Sequence, residues 1–185
     1  YLVKGCDFLC EIMGEFENFK KYNWTQLRTI EFPELIELDL SGLTLKDPLF
    51  NDWSQAANPT SNLGLKNLKK LDLSNLKGLT KIGYQAFCDC KSLACVTIPD
   101  SMTSIGENAF RDCRSLTSVT LSDTLTFIGE SAFADCSSLS GITIPNSVTK
   151  IMPKAFAYCE SLTDITIPSG VTELKEDIFT HCTNL

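Results

Sequence analysis

Three sets of residues in this chain are of types that do chemistry: nine cysteines, a spaced set of aspartates and a single histidine. Regularly spaced thiols suit a metal stack or a disulfide ladder. Carboxylates stacked about 5 Å apart would repel one another and attract Ca²⁺ or a basic partner. Spacing decides among these chemistries. Cys90, Cys113, Cys136, Cys159 and Cys182 recur at steps of 23, and Asp89, Asp112 and Asp135 precede three of them. A cysteine that occurs once per repeat is placed by packing, as a small buried apolar group. Parallel side chains leaving equivalent backbones rarely reach the disulfide dihedral. Cys88-x-Cys90 lacks zinc-knuckle spacing, and Cys6-x-x-x-Cys10 is a weak pair on an expected helix. His181 shares the register of Asp89, Asp112, Asp135 and Tyr158, a polar turn that supplies neither a nucleophile nor an orienting acid. No catalytic, cofactor-binding or metal residue is expected from these patterns, and the chain is not expected to be an enzyme.

The elements that position these residues repeat with them. Phe87, Phe110, Phe133, Phe156 and Phe179 keep the same step of 23, as do Leu93, Leu116, Leu139, Leu162 and Leu185. A fixed period in this range is the mark of a solenoid. In Leu116-Thr-Ser-Val119-Thr-Leu121 the apolar residues alternate at the end as in a half-buried strand. Pro99, Pro145 and Pro168 end the strand, because proline cannot donate to a ladder, and Ser122 takes that place in one unit. A second extended piece follows, as in Val148-Thr-Lys-Ile151, and Gly83, Gly106 or Gly129 is expected to turn the chain. Each unit closes with a short stretch around its Phe and Cys, expected as a 3₁₀ or single helical turn. The Phe and Cys columns form the expected structural ladder.

The pattern divides the chain into three parts. Residues 1–34 read as an N-terminal helical cap, because Phe8, Leu9, Ile12, Met13, Phe16 and Phe19 fall at helical spacing. Residues 35–78 read as irregular leucine-rich repeats, Leu35-x-x-Leu38-x-Leu40 and Leu68-x-x-Leu71-x-Leu73, with an insertion at 46–67; Leu27-x-x-Ile30-x-Phe32 competes for the strand role. Residues 79–185 hold the regular 23-residue units. Trp24, Trp53, Phe50 and Tyr22 suggest a cap or pocket beside the first coils, and Asn23-Trp24-Thr25 fits a glycosylation acceptor. A new unit begins at Leu185, so the repeat is expected to run on.

Read across units, Ala-Phe-x-x-Cys-x-Ser-Leu-Thr-x-Ile-Thr-Ile-Pro-x-Ser-Val-Thr-x-Ile-Gly resembles the BspA-type (Treponema pallidum type) leucine-rich repeat, most closely in residues 138–160. Met152 and Lys175 stand where that family has glycine, and Ser122 where it has proline. The expected fold is an α/β solenoid. It is a right-handed superhelix of 23-residue coils with parallel strands on one face, short extended segments and 3₁₀ turns on the others, and a helical cap. The resemblance implies a cell-surface or secreted, adhesin-like protein that binds extracellular-matrix or cell-surface proteins. An intracellular scaffold packed in a larger assembly is the alternative, since many unpaired thiols suit a reducing compartment.

Net charge and side-chain size narrow the partner. A formal charge of −7 argues against phosphate backbones, and no apolar run is long enough to insert directly into a membrane. A protein partner remains. The column Thr97, Thr120, Thr143 and Thr166 should line the outer sheet face, and with Thr117 and Asp164 it makes the expected partner-binding set. The face lacks the Trp, Tyr and Arg anchors that dominate hot spots, which predicts weak or multivalent contacts.

Overall fold

Each coil contributes two short extended pieces, and these set the architecture. A computed structural model describes residues 2–4, 37–39, 67–74 and 80–185. Its strands are β1 (Leu2–Lys4), β2 (Glu37–Asp39), β3 (Lys70–Asp72), β4 (Lys81–Ile82), β5 (Cys95–Thr97), β6 (Ser104–Ile105), β7 (Ser118–Thr120), β8 (Phe127–Ile128), β9 (Gly141–Thr143), β10 (Lys150–Ile151) and β11 (Asp164–Thr166). Among the described residues every pairing is parallel, in the orders β1-β2-β3-β5-β7, β9-β11 and β4-β6-β8-β10.

The register carries the repeat. Val96 pairs with Val119 and Ile142 with Ile165, each 23 residues on, whereas Leu71 pairs with Val96, 25 residues on. The coil that leads from Leu71 to Val96 therefore holds two extra residues. Leu2–Lys4, read from sequence as part of a helical cap, instead pairs with Glu37–Asp39 as a strand. The described residues form a β-solenoid and contain no helix. The helical pattern of residues 6–22, the Leu27 motif, the glycosylation acceptor, the aromatic cluster and the insertion at 46–67 lie outside the described residues.

The Phe-Cys segment is a pair of hydrogen-bonded turns rather than a helical turn. Cys88 N–H donates to Gln85 O at 3.3 Å and Cys90 N–H to Phe87 O at 3.4 Å. Left-handed backbone interrupts any longer run, with φ of 54° at Gln85 and 61° at Asp89. Both positions recur in each coil, at Asn108, Ser131, Lys154 and Asp177 and at Asp112, Asp135, Tyr158 and His181.

Glycine serves a different purpose from the one the sequence suggests. A Cβ on Gly129 would lie 2.5 Å from the Gly106 carbonyl carbon, and one on Gly106 would lie 2.8 Å from Ile82 O. No left-handed φ accompanies either. These residues let successive coils approach rather than turn the chain.

The core runs as parallel columns inside the coils. Phe110, Phe133 and Phe156 are fully buried, and consecutive rings from Phe87 to Phe179 stack with centroids 5.4, 5.4, 5.5 and 5.9 Å apart, none tilted by more than 11°. Leu93, Leu116, Leu139 and Leu162 line a second column, with Ile82, Ile105, Ile128 and Ile151 beside them. Each ring covers its neighbour, so a coil's stability belongs to the coils on either side.

Candidate functional site

The strands turn their central residue inward, at Leu71, Val96, Val119, Ile142 and Ile165. Their flanking residues therefore face outward in two files. One runs Lys70, Cys95, Ser118, Gly141 and Asp164, and the other Asp72, Thr97, Thr120, Thr143 and Thr166. Thr120, Thr143, Asp164 and Thr166 are exposed, while Thr97 is half-buried. Thr97 sits in register with Thr120, and Thr143 with Thr166. A Cβ on Gly141 would meet nothing within 4 Å, so the outer face is open there.

The ladder is interrupted between β7 and β9, and this divides the candidate set between two sheets. Thr97 and Thr120 lie on one, and Thr143, Asp164 and Thr166 on the other. The coil after β7 is the one in which Ser122 replaces proline. Ser122 Oγ accepts the Thr124 N–H at 3.1 Å, and the Thr124 hydroxyl donates to Asp100 O at 2.6 Å. A side-chain turn holds the chain where a ring would have fixed it.

Thr117 is placed differently. It is exposed, but its hydroxyl donates to Ala94 O at 3.1 Å, and Thr163 does the same to Ser140 O at 3.2 Å. Thr103, Thr126 and Thr149, which recur at the same step of 23, also donate backward: Thr103 to Thr80 O and Thr126 to Thr103 O, both at 3.0 Å, and Thr149 to Thr126 O at 3.4 Å. These hydroxyls link coils.

The column cysteines also donate. The thiols of Cys113, Cys136, Cys159 and Cys182 reach the carbonyls of Phe87, Phe110, Phe133 and Phe156 at 3.2, 3.3, 3.2 and 3.1 Å. A buried acceptor is satisfied by a group small enough to leave the stack intact. Burial pushes the Cys90 and Cys159 thiols up to about 12 and raises those of Cys113 and Cys136 well above the usual range. Thiols held neutral in this way are poor nucleophiles and poor metal ligands. Cys88 is pushed to about 11, by burial first and then by the Asp89 carboxylate.

The aspartate column follows from the backbone. Asp89, Asp112 and Asp135 sit at left-handed positions, with φ of 61°, 60° and 62°, a region that aspartate tolerates better than most residues. Their charges are met within the chain: Lys91 Nζ lies 3.2 Å from Asp112 and 3.6 Å from Asp89, Arg111 Nε lies 3.4 Å from Asp135, and Arg114 pairs with Asp112. Burial alone would raise the Asp112 carboxyl, but hydrogen bonds with Asp89, Arg114 and Lys91 together hold it below the usual range. Among the described residues, no group of three or more His, Cys, Asp or Glu side chains is placed to hold a metal ion. Nor is any helix among them long and apolar enough to cross a membrane.

In the last two coils Tyr158 and His181 take the aspartate position, and their rings stack with centroids 4.7 Å apart. The sequence placed both residues on a polar turn. It did not reveal the left-handed backbone or the contact.

Residues 63–185 match the family described as BspA type Leucine rich repeat region, in six copies. Three solved structures are similar. A leucine rich cell surface protein from Faecalibacterium prausnitzii A2-165 is 41% identical over 65% of this chain, with a TM-score of 0.61. The leucine rich repeat protein of T. pallidum is 35% identical over 64% of the chain, also at 0.61. A leucine-rich repeat protein from Bacteroides ovatus ATCC 8483 is 27% identical over 85%, at 0.66. The chain spans 32%, 55% and 40% of the length of these proteins, respectively. No curated protein matches it.

Proposed function

The chain belongs to the BspA-type leucine-rich repeat family, and from that premise we propose that it is a non-catalytic, adhesin-like module that binds proteins through its strand face at the cell surface or after secretion. Leucine-rich repeats are a typical protein-interaction fold, in which stacked coils offer a long continuous surface. The observation that carries the proposal is the outer file Thr97, Thr120, Thr143 and Thr166, with Ser118, Gly141 and Asp164 beside it. These side chains are small and nearly uncharged, so a partner can approach the strands closely along several coils. Contacts of this kind are individually weak and gain from multivalency. The cell-surface placement is supported by the relative from Faecalibacterium prausnitzii, described as a cell surface protein.

An intracellular scaffold is the second reading, favoured by the described cysteines, all of which are free thiols. One experiment separates the two: the folded chain, multimerised for avidity, is offered to extracellular-matrix proteins and, separately, to lysate of its own source. Saturable capture of a matrix protein, lost in a Thr120→Arg/Thr143→Arg variant that still folds, is the expected outcome. Capture confined to a cytoskeletal or organellar assembly would replace the adhesin with the scaffold.

A further inference from the structure

We infer that the turn edge bearing Tyr158, Glu160 and His181 receives an arginine side chain of a protein partner, at a place separate from the strand face. In the first three regular coils this edge neutralises itself, with Lys91, Arg111 and Arg114 paired to Asp89, Asp112 and Asp135. In the next two coils the cations are gone. The registers of Arg111 and of Lys91 and Arg114 hold Ala157 and Thr180, and Glu160 and Thr183. Glu160 is exposed and has no ion pair among the described residues. Tyr158 is 44% exposed, and His181, stacked against it, is also exposed.

The backbone supplies an independent sign. Tyr158 holds φ of 61°, where an aromatic side chain is less favourable than the aspartate found there in the first three regular coils, whereas His181, at 59°, is of a type that tolerates this region. A residue kept at a strained, exposed position against local preference points to a use. Tyrosine is among the residues that anchor protein interfaces. A guanidinium group fits this edge, because it stacks on an aromatic face and forms forked hydrogen bonds to a carboxylate. The paired Arg111–Asp135 and Arg114–Asp112 show the same edge holding guanidinium groups of its own chain.

The probe is a fluorescent glycine–serine peptide carrying arginines, compared at low salt with its lysine and citrulline counterparts. Expected results are tighter binding of the arginine peptide and ring-proton shifts at Tyr158 and His181. Glu160→Gln, and separately Tyr158→Asn with His181→Asn, should each weaken binding by about three- to fivefold. The asparagine variant adds no charge and places a residue that tolerates the left-handed backbone at both positions, so a loss would report the aromatic rings themselves. Glu160→Gln alters one exposed side chain and tests the site even if the double variant unfolds. Equal binding of the citrulline peptide, or unchanged affinity in either variant, would overturn the proposal. Thr120→Arg/Thr143→Arg should leave this binding in place; loss there would move the peptide to the strand face and sink the edge site.

Discussion

The thiol of Cys136 donates to the carbonyl oxygen of Phe110, 3.3 Å away in the preceding coil. The cysteine that looked like a space-filling residue is therefore also the hydrogen-bond partner of the turn that carries the phenylalanine column. With both residues fully buried, the thiol should resist alkylation in the native protein and react after denaturation. Among the described cysteines, Cys95, half-buried on the strand face, should label first. Mass-spectrometric labelling decides the matter, and rapid native modification of Cys136 would contradict the ladder.

The raised thiols also make a prediction about pH. A thiol at about 9 in the unfolded chain and about 12 in the fold, as for Cys159, favours the folded state while it stays neutral. That stability is complete below pH 9 and is lost as pH rises toward 12, because only the unfolded chain releases its proton in that window. The slope should approach about 1.4 kcal/mol per pH unit for each such thiol. Urea denaturation across this range should show a shallower decline in Cys159→Ala than in the parent.

Phe133→Ala should destabilise the protein by about 3–5 kcal/mol, since it empties a fully buried position between two stacked rings. Phe179→Ala should cost less, because Phe179 is only half-buried and has a described ring on one side. Equal losses in chemical denaturation would mean that the stack is not the source of the stability.

Two glycines should respond oppositely to the same substitution. Gly129→Ala places a Cβ 2.5 Å from backbone that cannot yield locally, and should cost about 1–3 kcal/mol or more. Gly141→Ala meets open space and should leave thermal stability unchanged or raise it by about 0.5 kcal/mol.

At the other left-handed position Lys154 stands where neighbouring coils have Gln85, Asn108, Ser131 and Asp177. Lys154→Asn should stabilise by about 0.5–1 kcal/mol, by removing part of the left-handed penalty. A lower melting temperature would show that the lysine side chain compensates for its backbone.

Much of the architecture was legible because burial fixes residue type. The column from Phe87 to Phe179 could be read as a 23-residue coil, and the wider spacing of Leu68 and Leu93 announced the two extra residues now seen between Leu71 and Val96. What could not be read was whatever depends on the sign of a dihedral or the direction of a donor. Asp112 looked like part of an acidic cluster because sequence does not show its left-handed φ, and Gly129 looked like a turn because sequence does not show the backbone beneath it. The strand face was legible as a surface but not as a site. Thr120 and Thr143 look identical in sequence, yet the ladder is broken between their strands. Threonine is chosen there by strand preference, whatever a partner requires.

The bonds from side chains to the backbone of a neighbouring coil run one way. Cys113, Cys136 and Cys159, like Thr103, Thr126 and Thr149, each reach back to a carbonyl of the coil before. Because a ribosome releases the chain from its N-terminal end, each coil emerges to find the acceptors for its threonine and cysteine already in place. The solenoid can then be laid down in order of synthesis, these threonine and cysteine donors satisfied without waiting for residues still to be translated.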